Sequence, residues 1–221
     1  MKKYVNLFVF VFMIGACLSQ GRAQTKSAVS YKNPVVDIAM PDPTVIKAAD
    51  GYFYVYATES TRNVPIMKSK DLVEWTYCNT AFTNKTRPRF EPKAGIWAPD
   101  INYINGKYVL YYAMSVWGGE QTCGIGVATA NSPQGPFTDH GKMFRSNEIG
   151  VQNSIDPSLL QYEGRNYLVW GSFRGIYVIE LTEDGLSLKP GAEKKRIAGT
   201  AFYSYHICHS CLPEHYLGLH E

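Results

Sequence analysis

The chain has 221 residues, of which 45% are hydrophobic and 19% are charged, and this composition excludes a disordered protein because it supplies a sizeable apolar core. A net charge of +3 at pH 7 is too small to indicate a nucleic-acid groove or contact with an acidic membrane face. The 16 Tyr, 10 Phe and 4 Trp residues, together with 19 Gly, favour a turn-rich β protein, in which aromatic rings often also bind sugars.

Residues 1–23 have the features of an export signal. Lys2 and Lys3 precede an apolar run that is too short to span a bilayer, and Gly21-Arg22-Ala23 places small residues where a signal peptidase inspects the chain. A second interpretation stays open, in which Cys17 ends a lipobox and carries a lipid anchor. Both interpretations predict an exported protein, periplasmic or extracellular, with no membrane span, whose folded domain covers residues 24–202.

Three stretches of this domain share one pattern: an Asp, a short apolar strand, a Gly turn and an aromatic-rich strand. The turn residues Gly51, Gly106 and Gly164 lie 55 and then 58 residues apart, and two more strand-like pieces follow each of the first two hairpins. This period predicts an all-β fold of four-stranded units repeated radially, a β-propeller. A β-sandwich is the alternative, because alternating strands alone suit both folds.

Asp42, Asp100 and Asp156 open the three stretches and lie 58 and then 56 residues apart. In a propeller the innermost strands of successive blades surround one axis, so these carboxylates are predicted to converge at one mouth of the channel. Carboxylates gathered in one cleft suit general acid and base catalysis, because like charges and burial separate their pKa values.

At these residues the sequence resembles glycoside hydrolase family 43. The runs that carry the resemblance occur in family order: Met40–Thr44, Gly95–Asp100, Gly124–Phe137 and Asn153–Ser158. The resemblance implies a five-bladed propeller that acts on arabinan, arabinoxylan and related plant polysaccharides. Two further runs, Gly171–Tyr177 and Glu180–Leu186, are most similar to arabinan endo-1,5-α-L-arabinosidases.

The resemblance also implies roles for the acidic residues in an inverting hydrolysis that needs no cofactor for its chemistry. Asp42 becomes the general base that activates water, and Asp156 the carboxylate that orients the general acid and raises its pKa. An inverting enzyme keeps its base and acid roughly 6.5–9.5 Å apart, which leaves room for the water. Asp100 is expected to support or contact the substrate instead of taking part in the chemistry.

Further residues are expected to contact the sugar. Trp97 is a candidate to stack on a furanose ring, with packing between blades as an equal alternative. The other candidate substrate-binding residues are Gly118, Asn153, Ser154, Ser172, Phe173 and Arg174. Some family members hold a calcium or other ion in the axial channel, so a structural calcium is a further candidate, for which the sequence identifies no ligands.

The sequence departs from the family pattern at the general acid. The family places a Glu directly after a Gly-Thr-Ala-Phe-like stretch at the start of the fourth blade, whereas here residues 199–202 are followed by Tyr203. Glu91, Glu120 and Glu148 lie in loop-like segments and are weak substitutes. The sequence therefore predicts a chain with little or no hydrolytic activity.

Residues 203–221 differ in character from the domain before them. They hold four of the five His residues together with Cys208 and Cys211, but a single Cys-x-x-Cys pair is a weak zinc signal, and a shifted reading frame or a truncation is the preferred interpretation. Five blades of about 55 residues need about 275 residues, whereas about 198 follow the predicted cleavage site, enough for about three and a half blades. An unclosed propeller exposes a sheet edge, so poor stability is expected.

Two other functions stay open at this point. The absent general acid favours a non-catalytic, carbohydrate-binding propeller, and a β-xylosidase or α-L-arabinofuranosidase is the alternative within the same family. In each case the expected partner is a plant cell-wall polysaccharide or oligosaccharide and not a nucleic acid.

Overall fold

The computed structural model describes residues 30–199, which contain twelve strands and one short helix. Valine, isoleucine, tyrosine and other residues that suit a pleated, half-buried surface fill the strands. The elements in chain order are β1 (Thr44–Lys47), β2 (Phe53–Tyr56), β3 (Pro65–Ser69), β4 (Trp75–Thr80), β5 (Gly95–Ile104), β6 (Lys107–Ser115), β7 (Gly124–Ala130), β8 (Thr138–Arg145), α1 (Ser146–Ile149), β9 (Ser158–Tyr162), β10 (Arg165–Ser172), β11 (Gly175–Glu180) and β12 (Lys195–Ala198).

The strands form three four-stranded antiparallel sheets, each built from four consecutive strands: β1–β4, β5–β8 and β9–β12. Gly51, Gly106 and Gly164 all lie in the turn between the first and second strand of a sheet, with φ of +83°, +80° and +73°. Glycine adopts this left-handed backbone without steric conflict, which explains why the turns recur at glycine. The all-β prediction with four strands in each repeated unit is confirmed.

Apolar layers on both faces of the second sheet join it to its neighbours. Tyr54 and Tyr56 of β2 pack with Tyr112 of β6 in one cluster, whereas Tyr111 of β6 packs with Trp170 of β10 in another. Adjacent residues of β6 serve both clusters because successive side chains of a strand point to opposite faces. Three sheets packed in series are not the two-sheet arrangement of a β-sandwich, so that alternative is wrong for this part of the chain.

The first strands of the three sheets are neighbours, because β5 contacts β1 on one side and β9 on the other. The three segments that lead into these strands therefore meet at one end of the molecule. This arrangement brings the predicted acidic residues within reach of one another.

Several predictions fall on other parts of the chain. The export signal at residues 1–23 with Cys17, and Tyr203 with the tail at 203–221, lie outside the described residues. Between residues 30 and 199, no helix is long and apolar enough to cross a membrane.

Candidate active site

The three sheets share the same backbone turn at or near the start of their first strands. Asp42, Ala98 and Asp156 each precede a proline, and their φ angles are +48°, +39° and +54°. A positive φ is uncommon for a residue other than glycine, although the short polar side chain of Asp tolerates it. Such strained positions recur at functional sites. An equivalent, strained pre-proline residue thus lies just before the first strand of the first and third sheets and within the first strand of the second.

This turn corrects the alignment of the repeat that the sequence predicts. Asp42 and Asp156 are equivalent, but the residue at their position in the second sheet is Ala98. Asp100 lies two residues further on, at the position that Thr44 and Ser158 occupy in the other sheets. The spacing of the acidic residues does not reveal this two-residue offset of Asp100. The position equivalent in all three sheets is the residue before the proline, whether or not that residue is acidic.

All three carboxylates nevertheless line one cleft between the first strands, with a volume of about 770 Å³. Asp42 is exposed at the surface of this cleft, whereas Asp100 and Asp156 are half-buried. Residues 169–171 of β10 complete the wall beside Asp156. A cleft of this size lies within the range of small-molecule sites.

Asp100 fastens the first strands of the three sheets to one another. Its Oδ1 accepts a hydrogen bond from Thr44 Oγ1 of β1 at 3.5 Å, and its Oδ2 accepts from Leu159 N of β9 at 2.7 Å. Asn102 Nδ2 donates to the same Oδ2 at 2.7 Å. The carboxylate therefore supports the wall of the cleft, and contact with the substrate stays a prediction.

Asp42 is held by a hydroxyl from its own sheet. Thr58, two residues after β2, donates from Oγ1 to Asp42 Oδ2 at 2.7 Å, and the same Oγ1 accepts from Ala98 N at 2.7 Å. Within the described residues, this bond engages Oδ2 and leaves Oδ1 to accept from a water molecule.

Two indole rings lie beside the entry to β5. The Trp97 ring lies 5.7 Å from that of Trp117 between centroids, at an interplanar angle of 53°. Trp97 is half-buried, whereas Trp117 is 94% exposed. Gly95 makes room for this arrangement, because a Cβ there would lie 2.4 Å from Trp97 Nε1. The sequence analysis missed Trp117, for which the only signal is a large aromatic residue in a Gly-rich loop.

The loop before Asp156 uses its polar side chains internally. Ser154 is fully buried, and its Oγ donates to Val151 O at 2.8 Å and accepts from Trp170 Nε1 at 3.1 Å. Asn153 is also buried, with a φ of +57°. These contacts fix the path of the chain into Asp156, so both residues are suited to shape the cleft and are poorly placed to touch a sugar.

The remaining predicted binding residues lie on the loop between β6 and β7, at the end of β10 and in the turn that follows β10. Arg174, in the turn between β10 and β11, pairs with Glu120 of the loop between β6 and β7, with 2.9 Å between Nη2 and Oε2. The Arg174 guanidinium also lies 4.9 Å from the centre of the Phe173 ring, which is 44% exposed. Gly118 is exposed and Ser172 is buried. The ion pair holds the two loops together beside the cleft, although none of these residues lines it.

The three substitute acids are all engaged in ion pairs. Glu91 pairs with Arg145 at 2.6 Å, Glu120 pairs as described above, and Glu148 forms a hydrogen-bonded ion pair with Lys142. The Lys142 hydrogen bond lowers the pKa of Glu148. None of the three lines the cleft. Ion pairing away from the cleft does not favour any of the three as a substitute proton donor.

The described residues contain no group of three or more His, Cys, Asp or Glu side chains that could hold a metal ion. The structural calcium stays a prediction. The weak zinc signal at Cys208 and Cys211 falls outside the described residues.

The family assignment comes from comparison with known proteins. The family model of the glycosyl hydrolases family 43 matches residues 31–210, which is most of the chain. The chain belongs to glycoside hydrolase family 43. The resemblance found in the sequence motifs is thereby confirmed.

Relatives within family 43 act on arabinan according to their names. An extracellular endo-α-(1→5)-L-arabinanase of Bacillus subtilis is 37% identical over 166 residues, which cover 71% of this chain and 50% of that protein. A Cellvibrio cellulosa α-L-arabinanase, solved in complex with arabinohexaose, has a TM-score of 0.64 at 28% identity, covering 73% of this chain and 54% of the other.

An exo-1,5-α-L-arabinanase from a bovine ruminal metagenomic library has a TM-score of 0.63 at 31% identity, covering 76% of this chain and 58% of the other. Both endo- and exo-acting arabinanases therefore share this fold. The chain spans about half the length of the curated relatives it matches.

Proposed function

We propose that this chain carries the substrate-binding and water-activating part of a family 43 arabinanase, and that it hydrolyses α-1,5-linked arabinan poorly because it lacks a general acid. The observation that carries the proposal is that Asp42 and Asp156, in the same strained pre-proline conformation, line one cleft. Family membership supplies the glycosidase chemistry, and the names of the relatives supply arabinan as the substrate.

The environments of the two carboxylates suit different roles. Asp42 is exposed, and one of its oxygens is held by Thr58 while the other can accept a water, as a general base requires. Asp156 is half-buried at the start of the third sheet, where it would orient an acid supplied by the next part of the chain.

The missing acid limits the reaction. In an inverting glycosidase the acid protonates the departing sugar oxygen, and an unprotonated sugar alkoxide is a poor leaving group. Tyr203 stands where the family places its Glu, and a phenol has an ordinary pKa of about 10, so it seldom donates a proton at neutral pH. We expect bond cleavage in natural arabinan to be slow for this reason.

The remaining parts of the proposal concern the whole protein. The three described sheets are blades of a five-bladed propeller, the domain covers residues 24–202, and the chain is exported. Its partner is plant cell-wall arabinan, which Trp97 and Trp117 contact by stacking and which Phe173 and Arg174 approach from the adjacent loop. Whether cleavage is endo or exo is decided by whether short oligosaccharides or single sugars are released.

A non-catalytic arabinan-binding protein is the second candidate function. Tyr203 at the acid position favours it, as do the ion pairs that engage Glu91, Glu120 and Glu148. Binding of arabinohexaose does not separate the two candidates, whereas hydrolysis of an activated substrate does.

The experiment compares arabinohexaose with an α-L-arabinotrioside that carries a dinitrophenyl leaving group. Dinitrophenolate departs without a proton, so the missing acid no longer limits the rate. We expect the chain to hydrolyse the activated substrate at least about a hundredfold faster than arabinohexaose, given that positioned acid catalysis contributes roughly 10²–10⁴-fold. Asp42→Asn should abolish this hydrolysis and retain arabinohexaose binding.

Binding without any hydrolysis of the activated substrate would establish the non-catalytic alternative. Equal rates on both substrates would show that another group supplies the proton, and the account of Tyr203 would then be wrong.

A further inference from the structure

We propose that Thr58 is a positioning residue that aims the Asp42 carboxylate at the attacking water. The inference rests on the proposed role of Asp42 as general base. It concerns a residue that does not line the cleft and acts only through Asp42.

The direction of the Thr58 hydroxyl follows from its two partners. The Ala98 amide can only donate, so at 2.7 Å the Thr58 oxygen must accept from it. The single hydroxyl proton is then available to Asp42 Oδ2, also at 2.7 Å. A donor fixed in this way holds one carboxylate oxygen and thereby sets the orientation of the other, which takes the proton from water.

The same position in the other sheets shows that the fold does not need this hydroxyl. Counted from the strand pairing, the equivalents of Thr58 are Ala113 in the second sheet and Gly171 in the third. The backbone bond at this point is kept, since Thr58 N donates to Pro41 O and Gly171 N to Ile155 O, each at 2.9 Å. Only the sheet that carries the proposed base has a hydroxyl here.

Hydrogen bonds of the next residue, Glu59, help to fix the position of Thr58. Glu59 N donates to Ile96 O at 3.1 Å, and Ile96 N donates back to Glu59 Oε1 at 3.0 Å. The Glu59 carboxylate is paired in turn with the buried Arg87. The segment that carries the hydroxyl is therefore also fixed to β5 at Ile96, two residues before Ala98.

The arrangement also ties the base to the sugar-binding surface. Ala98 follows Trp97 directly, so the bond between Ala98 N and Thr58 Oγ1 links the indole on the second sheet to Asp42 on the first. Base and stacking ring are then held in one geometry across two sheets, and misplacement of a reacting group by about 1 Å lowers rates about a hundredfold.

The test uses Thr58→Val and Thr58→Ser with the dinitrophenyl arabinotrioside. We expect Thr58→Val to lower kcat about tenfold to a hundredfold with little change in KM, because a hydrogen bond to a charged group is lost while sugar contacts remain. Thr58→Ser restores the hydroxyl and should restore kcat. The control is Thr129→Val, which removes a hydroxyl that bonds His140 outside the cleft and should leave kcat unchanged.

A crystal structure of Thr58→Val supplies a readout that does not depend on activity. The proposal expects the Asp42 side chain to leave its orientation in this variant and to keep it in Thr58→Ser. An Asp42 carboxylate that stays in place in Thr58→Val, or an unchanged kcat, would overturn the role of Thr58. If the unmodified chain fails to hydrolyse the activated substrate while Asp42 still reorients, the proposed function fails and the positioning contact stands.

Discussion

At the scale of single residues, Trp117 has a placement that folding alone does not explain. Trp117 leaves 94% of its surface in water, although burying an aromatic side chain is worth about 1.5–3 kcal/mol. Its neighbour Trp97 is half-buried and lies next to Ala98 at the strained turn. The exposed Trp117 ring contacts Trp97, which directly precedes Ala98 of the cleft wall, and it offers a flat apolar face that suits a furanose.

We expect Trp117→Ala to weaken arabinohexaose binding about tenfold, because the stacked ring is lost, and to leave the melting temperature unchanged, because the side chain buries almost nothing. Isothermal titration calorimetry and a thermal melt measure the two quantities. Tyr77→Ala is the matched control, since Tyr77 is 49% exposed and belongs to β4, the last strand of its sheet, whereas the cleft lies between the first strands. An equal loss of affinity in both variants would show that Trp117 is not part of the binding surface.

At the scale of elements, the entry to β5 depends on one buried ion pair. Glu59 and Arg87 expose 9% and 7% of their side chains, and Arg87 also donates to Ala94 O at 2.8 Å. Burial alone would raise the pKa of Glu59, but hydrogen bonds from Arg87, Asn63 N and Ile96 N outweigh it and lower that pKa below the ordinary 4.5. The pair joins the loop before β5 to the segment that holds Asp42.

The lowered pKa of Glu59 fixes the sign of its pH dependence. The Glu59 carboxylate contributes fully to stability above about pH 4.5, its ordinary pKa, which applies in the unfolded state. This contribution is lost as the pH falls through the lower pKa of the folded state. At pH 7 we expect Glu59→Gln to destabilise the protein by about 3–5 kcal/mol, because Arg87 is left buried without its counter-ion.

Urea unfolding at pH 7 and near pH 3.5 measures this effect, and the difference between Glu59→Gln and the unmodified chain should shrink at the lower pH. Glu148→Gln is the control, since the pair of Glu148 with Lys142 is exposed to solvent and is expected to contribute little to stability. A similar loss in the free energy of unfolding in the two variants would show that the buried Glu59–Arg87 pair contributes no more to stability than an exposed pair does.

At the scale of the whole molecule, the repeat of an Asp, a Gly turn and aromatic strands was sufficient to predict three four-stranded sheets. Turn chemistry and strand periodicity are local properties, so Gly51, Gly106 and Gly164 could be placed without coordinates. The acidic motifs also indicated which carboxylates share the cleft.

Other features depend on contacts that sequence does not display. The two-residue offset of Asp100 follows from where the backbone turns, and its bond to Leu159 N joins residues 59 positions apart. The buried hydroxyl of Ser154 and the contact between Thr58 and Asp42 likewise depend on side-chain directions across folded segments. Composition and spacing carry no information about such directions.

The most direct measurement of the central claim is proton NMR of the first product formed from the dinitrophenyl α-L-arabinotrioside. If Asp42 activates a water on the face of the sugar opposite the leaving group, arabinotriose of β configuration accumulates before its anomers equilibrate. The same substrate with Asp42→Asn should give no product above the uncatalysed rate. Initial release of the α anomer, or β product formed equally well by Asp42→Asn, would contradict the account.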